Sequence, residues 1–278
     1  MEASHLFHEI VRRELQRDPS SVRILDFGCG AGGVVREFLS LGYDAYGCDI
    51  GSDWPDDSGA WQRGLPAAEW NASAEARLKP IAARPYRLPF ETGSFDVVVS
   101  TQVFEHVQNK EEAFTELSRV LKPDGFGIHL IPSKWRFIEP HLGVPLVSTM
   151  WPNVPYWWLA LWALLGIRNE FQKGLPWRKV AAINHAYCRD GIHYWRLYRY
   201  RALFRQIFGD FVSFEDLRLR VDLGTAAKAI NRLRLRWLVA PMRSLFRESC
   251  IGHHNVHDEQ ADGGVTSRRS NLSKREDP

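Results

Sequence analysis

Ile24-Leu25-Asp26-Phe27-Gly28-Cys29-Gly30-Ala31-Gly32-Gly33 is the stretch whose reading decides the fold. Residues 22–27 form a short apolar, β-leaning run that stops at Gly28, the pattern of a buried strand. Residues 31–41 have helical character and stop at Gly42. Glycines at such a strand-to-helix turn let the backbone bend sharply and approach a ligand closely. The helix that follows offers unpaired N–H groups. Gly28, Gly30 and Gly33 satisfy GxGxxG, a dinucleotide pattern. Gly28, Gly30 and Gly32 satisfy GxGxG, preceded by an acid at Asp26.

The acid decides between the two. A dinucleotide brings an anionic pyrophosphate to this turn, which a carboxylate repels. S-adenosylmethionine has no phosphate and brings an ammonium and a sulfonium, which a carboxylate attracts. Asp26 therefore favours S-adenosylmethionine. Asp49, at the end of the next strand (residues 43–48), is placed to accept ribose hydroxyls and supports a nucleoside of either kind.

Working outward, residues 95–100 (FDVVVS) read as the clearest strand and residues 126–131 as another. A helix over 111–121 is closed by Lys122-Pro123-Asp124-Gly125, and residues 78–82 suggest a further short strand. Residues 5–16 have apolar positions at helical spacing. Strands alternating with helices imply βαβ units, a mostly parallel sheet with helices on both faces, and loops gathered on one edge where ligands bind. Residues 51–76 are polar and read as loop plus a short helix.

After Pro132 the alternation stops. Residues 133–195 are rich in Trp and Pro, and no charged side chain occurs from 142 to 167, counting histidine as neutral. The uninterrupted apolar part, 156–167, is too short to span a bilayer. It suits a helical lid or a segment at a membrane interface, where tryptophan is at home. A helix is expected over 198–208 and one or two strands over 211–219. Residues 225–246 read as a basic amphipathic helix of the kind that meets anionic lipid. Residues 250–278 are polar, lack aromatics, and read as a disordered tail. The division expected is thus 1–21, an N-terminal helix; 22–132, the cofactor core; 133–195, the insertion or lid; 196–224, the end of the fold; 225–249, the basic helix; and 250–278, the tail.

Composition agrees with a globular protein: 278 residues, 45% hydrophobic, 25% charged, net charge +3, eleven tryptophans. That charge is too small to suggest nucleic acid. Cys29, Cys48, Cys188 and Cys250 form no CxxC pair and no metal-ligand spacing, and read as free thiols in a reducing compartment. The N-terminus, charged and without an apolar core, is not a signal peptide. A cytoplasmic protein, associated with the inner membrane face through 151–167 and 225–247, is expected.

These residues resemble the class I S-adenosylmethionine-dependent methyltransferases, most like those of ubiquinone and menaquinone biosynthesis. ILDFGCGAGG (24–33), YGCDI (46–50), YRLPFETGSFDVVVS (86–100), QVFEHV (102–107) and LSRVLKPDGFGIHLIP (117–132) carry the resemblance. It implies a Rossmann-like class I sheet and a cofactor set of Asp26, Phe27, Gly28, Cys29, Gly30, Gly32, Asp49, Ile50, Tyr86 and Gln102. Asp26 and the backbone near Gly28 and Gly30 would hold the methionine end, and Asp49 the ribose. Gln102, Phe104, Glu105 and His106 would lie beside the cofactor and the substrate mouth. In the family an acid and a free N–H often stand four and three places before Leu-Pro-Phe. Arg84 and Pro85 stand there instead, so adenine is held otherwise, with Tyr86 stacking as one way. Past residue 132, WRFIEPHLGVPL (135–146), LWALLGIRNEF (161–171) and HYWRLYRYRALFRQIFGDF (193–211) resemble a bacterial subgroup thought of with cell-surface glycan or lipid biosynthesis.

Methyl transfer needs a general base only when the acceptor must lose a proton, as a hydroxyl does. His106 ranks first, because it follows the strand whose end faces the cofactor. His141 is the second candidate, with Glu105 and Glu139 as orienting groups or alternative bases. The same four could ligate a metal by residue type, but the spacing demands none, and no metal is expected. The expected activity is O-methylation of a small or lipid-linked acceptor. The competing readings are an NAD-dependent oxidoreductase and a non-catalytic module on the same fold.

Overall fold

The computed structural model describes residues 3–50, 77–82, 84–221, 237, 239, 241–242 and 248–255. Its order is α1 (Ala3–Leu15), β1 (Arg23–Phe27), α2 (Gly33–Ser40), β2 (Asp44–Asp49), β3 (Leu78–Pro80), β4 (Phe95–Thr101), α3 (Lys110–Val120) and β5 (Leu121–Pro132). After a single turn at Val147–Met150 come α4 (Tyr156–Leu164), α5 (Trp177–Ala186), α6 (Leu197–Phe208), β6 (Val212–Ser213), α7 (Glu215–Val221) and β7 (Glu248–His254). The strands form one sheet in the order β3-β2-β1-β4-β5-β7-β6. β3 to β5 pair in parallel and β7 pairs antiparallel with both neighbours.

The sheet is parallel where its strands are apolar throughout. Ile24, Leu25, Val97, Val98 and Val99 are all buried, because helices cover both faces. α1 lays Leu6, Phe7, Ile10 and Val11 on one face, and α3 and α6 lay Phe114, Leu117, Phe204 and Phe208 on the other. Neighbouring β1 and β4 have crossovers that run in opposite directions, so a crevice opens at their carboxyl ends.

Several boundaries differ from the sequence reading. β5 begins at Leu121, which pairs with Phe95, and the register then jumps to Val97 opposite Phe126. The Lys122–Gly125 turn is therefore a bulge inside one strand rather than a break before it. Asn255 fastens this bulge, donating to the carbonyls of Ser118, Leu121 and Lys122.

Residues 211–219 hold a two-residue strand and then a helix, not two strands. Leu219 and Phe214 are buried, but Glu215 starts the helix and accepts from the Cys250 N–H. The tail expected from residue 250 is corrected at its start. Residues 248–254 are a buried strand between β5 and β6, so 248 and 249, expected in the basic helix, belong to that strand. Its sequence, ESCIGHH, hides the strand because polar side chains find buried partners. His253 lies stacked on Phe208 with its Nε2 3.1 Å from that of His129, and Glu248 pairs with Arg218. The rest of the basic helix (apart from Trp237, Val239, Pro241 and Met242), the loop at 51–76 and residues 256–278 lie outside the described residues.

The insertion has a core of its own, built from Leu142, Val144, Val147, Leu159, Tyr187 and Ile192. It is tied to the loop after β4 and the start of α3. The His193 N–H donates to the Glu105 carbonyl, and the buried Lys110 ammonium donates to the carbonyls of Val107 and His193.

Candidate active site

Loops from four strands and the insertion meet at one cavity of about 220 Å³. Phe27 ends β1 and Gly28 follows it, Asp49 ends β2 and Ile50 follows it, and Gln102 and Val103 follow β4. Tyr86 comes from the loop before β4, His106 from the loop after it, and His141 from the insertion. These sequence candidates thus stand together. Ile81, Val103, Val107 and Tyr187 also line the cavity, and no sequence signal marked them.

Gly28 is glycine for two reasons. Its φ is +77°, and a Cβ would lie 2.3 Å from Val103 Cγ2. Gly30 has φ +49° with nothing within 4 Å of where a Cβ would be, and its N–H donates to the Asp49 carboxylate at 2.8 Å. Gly32 serves packing. It caps α2 in the left-handed region, and a Cβ there would meet Leu78 at 2.8 Å. Cys29 is buried beside Gly47.

Asp26 lies buried at the end of β1. Burial, with the Asp49 charge adding, pushes its carboxyl up to about 8. A buried carboxylate near another is costly unless a cation joins them. The glycine turn, the acid pair and the open space beside Gly30 fit the amino-acid and ribose parts of S-adenosylmethionine. Gln102 holds a left-handed φ of +53° at the cavity wall, with its N–H bonded to the Leu130 carbonyl. A non-glycine residue in that region is a strain persisting where surroundings enforce it. Phe104, expected at the mouth, is instead buried, stacked between Phe27 and Phe114. The Leu88-Pro89-Phe90 loop is pinned to α3, as Arg119 donates to the carbonyls of Leu88 and Phe90 and Glu116 accepts from the Leu88 N–H.

The acid–base cluster sits opposite the glycine turn. Glu139 is fully buried and well satisfied, accepting from His141 Nδ1 at 2.8 Å, the Leu142 N–H at 2.7 Å and the Tyr194 hydroxyl at 3.2 Å. Burial pushes the His141 imidazole down, but the Glu139 hydrogen bond and the charges of Glu139 and Glu105 outweigh it and raise it above its ordinary value. His106 goes the other way. Burial and the neighbouring His141 push it down to about 3, and its Nδ1 donates to the Gly191 carbonyl at 2.7 Å. The two imidazole rings meet edge to face, 4.9 Å apart.

Glu105 is fully buried. Neither carboxylate oxygen has a hydrogen-bond partner among the described residues, and its Oε1 is 3.8 Å from His106 Nε2. Burial pushes Glu105 up to about 7. One ligand atom from each of Glu105, His106 and His141 lies within 4.8 Å of the others, a donor set able to hold a divalent ion.

Residues 25–128 match the methyltransferase domain family. The chain is 30% identical over 105 residues to the sterol 4-C-methyltransferase strm-1 of Caenorhabditis elegans, covering 38% of this chain and 29% of that one. It is 30% identical over 122 residues to the ubiquinone biosynthesis O-methyltransferase of Roseobacter denitrificans, covering 41% and 45%. Among solved structures it is similar to an S-adenosylmethionine-dependent methyltransferase from Mesorhizobium loti, at 16% identity and TM-score 0.47, covering 89% and 97%. The chain spans less than a third of the length of the sterol relative.

The sheet order and the glycine turn are those expected of the class I methyltransferase fold. Residues 25–128 of this chain carry a methyltransferase domain. The nicotinamide reading of the glycines is thereby displaced.

Proposed function

We propose that the whole chain is an S-adenosylmethionine-dependent O-methyltransferase whose base is His141, held by Glu139, acting on a small or lipid-linked acceptor. The observation that carries this reading is the 2.8 Å bond between His141 Nδ1 and the buried Glu139, in the wall of the cavity that also contains Gly28 and Asp49. When bound, S-adenosylmethionine supplies an electrophilic methyl carbon. The protein's own work is orientation, which is worth about 7–11 kcal/mol in well-aligned pairs, and removal of the acceptor's proton.

His141 suits the second task better than His106, the first choice from sequence. The Nδ1 bond to Glu139 directs the His141 Nε2 lone pair away from the carboxylate, and the raised affinity for a proton makes a useful base near neutral pH. His106, held neutral by burial, is a positioning residue that orders His141 and the Gly191 turn. Asp26 and Asp49 hold the cofactor's cation and ribose, and Tyr86, in the wall, flanks its base.

A lipid-linked acceptor is favoured by α4. Trp157, Leu161, Leu164 and Leu165 fall on one helical face and are 63%, 40%, 61% and 63% exposed. An apolar stripe of this size on a surface marks a contact, and tryptophan-bearing helices lie well in the interfacial layer. No helix among the described residues is long and apolar enough to cross a membrane. In this reading the enzyme works at the inner membrane face, in glycan or lipid biosynthesis.

The test is turnover. The purified chain is incubated with methyl-labelled S-adenosylmethionine and a lipid extract, with wild type and His141→Ala in parallel. Label transferred to an ether-linked lipid product by the wild type, and lost about 10²-fold or more in the variant, supports the reading. Tight product binding with no transfer to any acceptor would return the chain to the class of non-catalytic modules.

A further inference from the structure

A second cavity, about 270 Å³, opens where β5 ends, beside the first turn of α6 and the start of β7. It shares no lining residue with the cofactor cavity. Its walls are basic and aromatic: Lys134, Arg196, Arg201, Trp135, Trp195 and Tyr200. Among the described residues none that lines it is acidic.

The cations here are held by rings and carbonyls rather than by acids. Arg196 lies over Trp135 at 5.5 Å, Arg199 over Trp195 at 4.8 Å and Arg201 over Phe211 at 5.1 Å. Lys134 donates to the Trp151 carbonyl at 2.8 Å. Among the described residues none of these four makes an ion pair, although eleven such pairs occur elsewhere. Burial, then the charges of Arg196 and Arg199, hold the Lys134 ammonium below its usual range, as expected of cations gathered without a counter-charge.

One further observation points to an anion. Among the described residues, α6 begins here with no side-chain cap and no acid in its first turn, so its twelve-residue dipole and first N–H groups are open to a negative charge.

We infer that this cavity binds a phosphate group, monoester or diphosphate, carried by the methyl acceptor. Arginine and lysine together answer a multiply charged oxyanion better than a single carboxylate requires, and the Trp135 and Trp195 faces suit the apolar or ring portion next to it. The inference rests on the methyltransferase reading, because it assigns the phosphate to the acceptor of that reaction.

The experiment uses the full chain and calorimetric titration with inorganic pyrophosphate, with S-adenosylhomocysteine titrated into the same samples. The expected result is one pyrophosphate site whose affinity falls as salt rises. Lys134→Gln and Arg201→Gln should each weaken it about tenfold, the loss of one charge-assisted bond. S-adenosylhomocysteine binding should stay unchanged in both, which also shows that the variants fold. A second arm measures sedimentation with phosphatidic acid vesicles against phosphatidylcholine vesicles. Loss of phosphatidic acid binding in the same variants assigns the phosphate to a lipid headgroup, and unchanged vesicle binding assigns it to a soluble ester. Wild type that binds S-adenosylhomocysteine but no pyrophosphate, or variants that bind pyrophosphate as wild type does, overturn the inference. Failure of S-adenosylhomocysteine itself to bind strikes the methyltransferase reading instead.

Discussion

At the scale of single residues the site is a contrast between carboxylates. Glu139 has three donors, Glu105 has none among the described residues and is pushed up to about 7, and Asp26 is pushed up to about 8 by burial and Asp49. The first difference sets the acid limb of catalysis. His141 must lose its proton to act, and its affinity for that proton is raised, so kcat/KM should climb with pH through a midpoint above the ordinary histidine value of about 6.5. Glu139→Gln removes the charge that raises it, so the midpoint should move to lower pH as the rate falls. Glu105→Gln should move it the same way by less, being the smaller contribution. A pH–rate profile for the three proteins checks this, and an unmoved limb in Glu139→Gln removes His141 from the role.

Asp26 should act on cofactor binding, in the same sense. Neutral at pH 7 when alone, it must ionise to meet an ammonium, so ligand binding should release protons near neutrality and strengthen as pH rises through about 8. Calorimetry with S-adenosylhomocysteine in buffers of different ionisation enthalpy measures the release, and Asp26→Asn should abolish it. Without ligand, the raised value means the reverse for the fold. The proton is held more tightly folded than unfolded, so the stability Asp26 contributes is present below about pH 4 and is lost as pH rises through 8.

At the scale of elements, β7 is the strand on which the far half of the sheet depends. Gly252 faces β5 so closely that a Cβ would lie 2.1 Å from the Gly127 carbonyl oxygen. Gly252→Ala should therefore lower stability by about 1–3 kcal/mol, seen as a lower Tm, with S-adenosylhomocysteine affinity little changed in the folded fraction. On α4, Trp157→Glu with Leu164→Glu should abolish sedimentation with vesicles and leave Tm unchanged, since both side chains point to solvent.

These two elements also mark where sequence reasoning works and where it stops. β1, β2, β4 and the glycine turn were legible because buried parallel strands are continuous apolar runs ending at glycine or an acid. β7 was not, because ESCIGHH buries polar groups through His129, Phe208 and Arg218, partners far away in the chain. The two-residue β6 gave no periodicity to read, and Phe214 and Leu219 suggested strand where Glu215 starts a helix. In the site, Asp26, Asp49 and His141 were found by residue type and position after a strand. The preference for His141 over His106 was not, since it depends on which ring faces Glu139 and which faces the Gly191 carbonyl. Tyr187 had no signal, because only the packing of the insertion brings it to the cavity.

At the scale of the molecule, a parallel sheet opens a crevice at the ends of β1, β2 and β4, and an insertion with its own core closes over it carrying the Glu139–His141 pair. In the proposed function the sheet would supply the cofactor's contacts and the insertion the acceptor's; the two are joined at Glu105, Lys110 and His193. The central claim is that the crevice holds S-adenosylmethionine between Asp26 and Asp49. The measurement that tests it most directly is calorimetric titration of the chain with S-adenosylhomocysteine and, separately, with NAD. The account predicts a single S-adenosylhomocysteine site, lost in Asp49→Ala, and no heat with NAD. Binding of NAD that Asp49→Ala abolishes, or no binding of either, would contradict it.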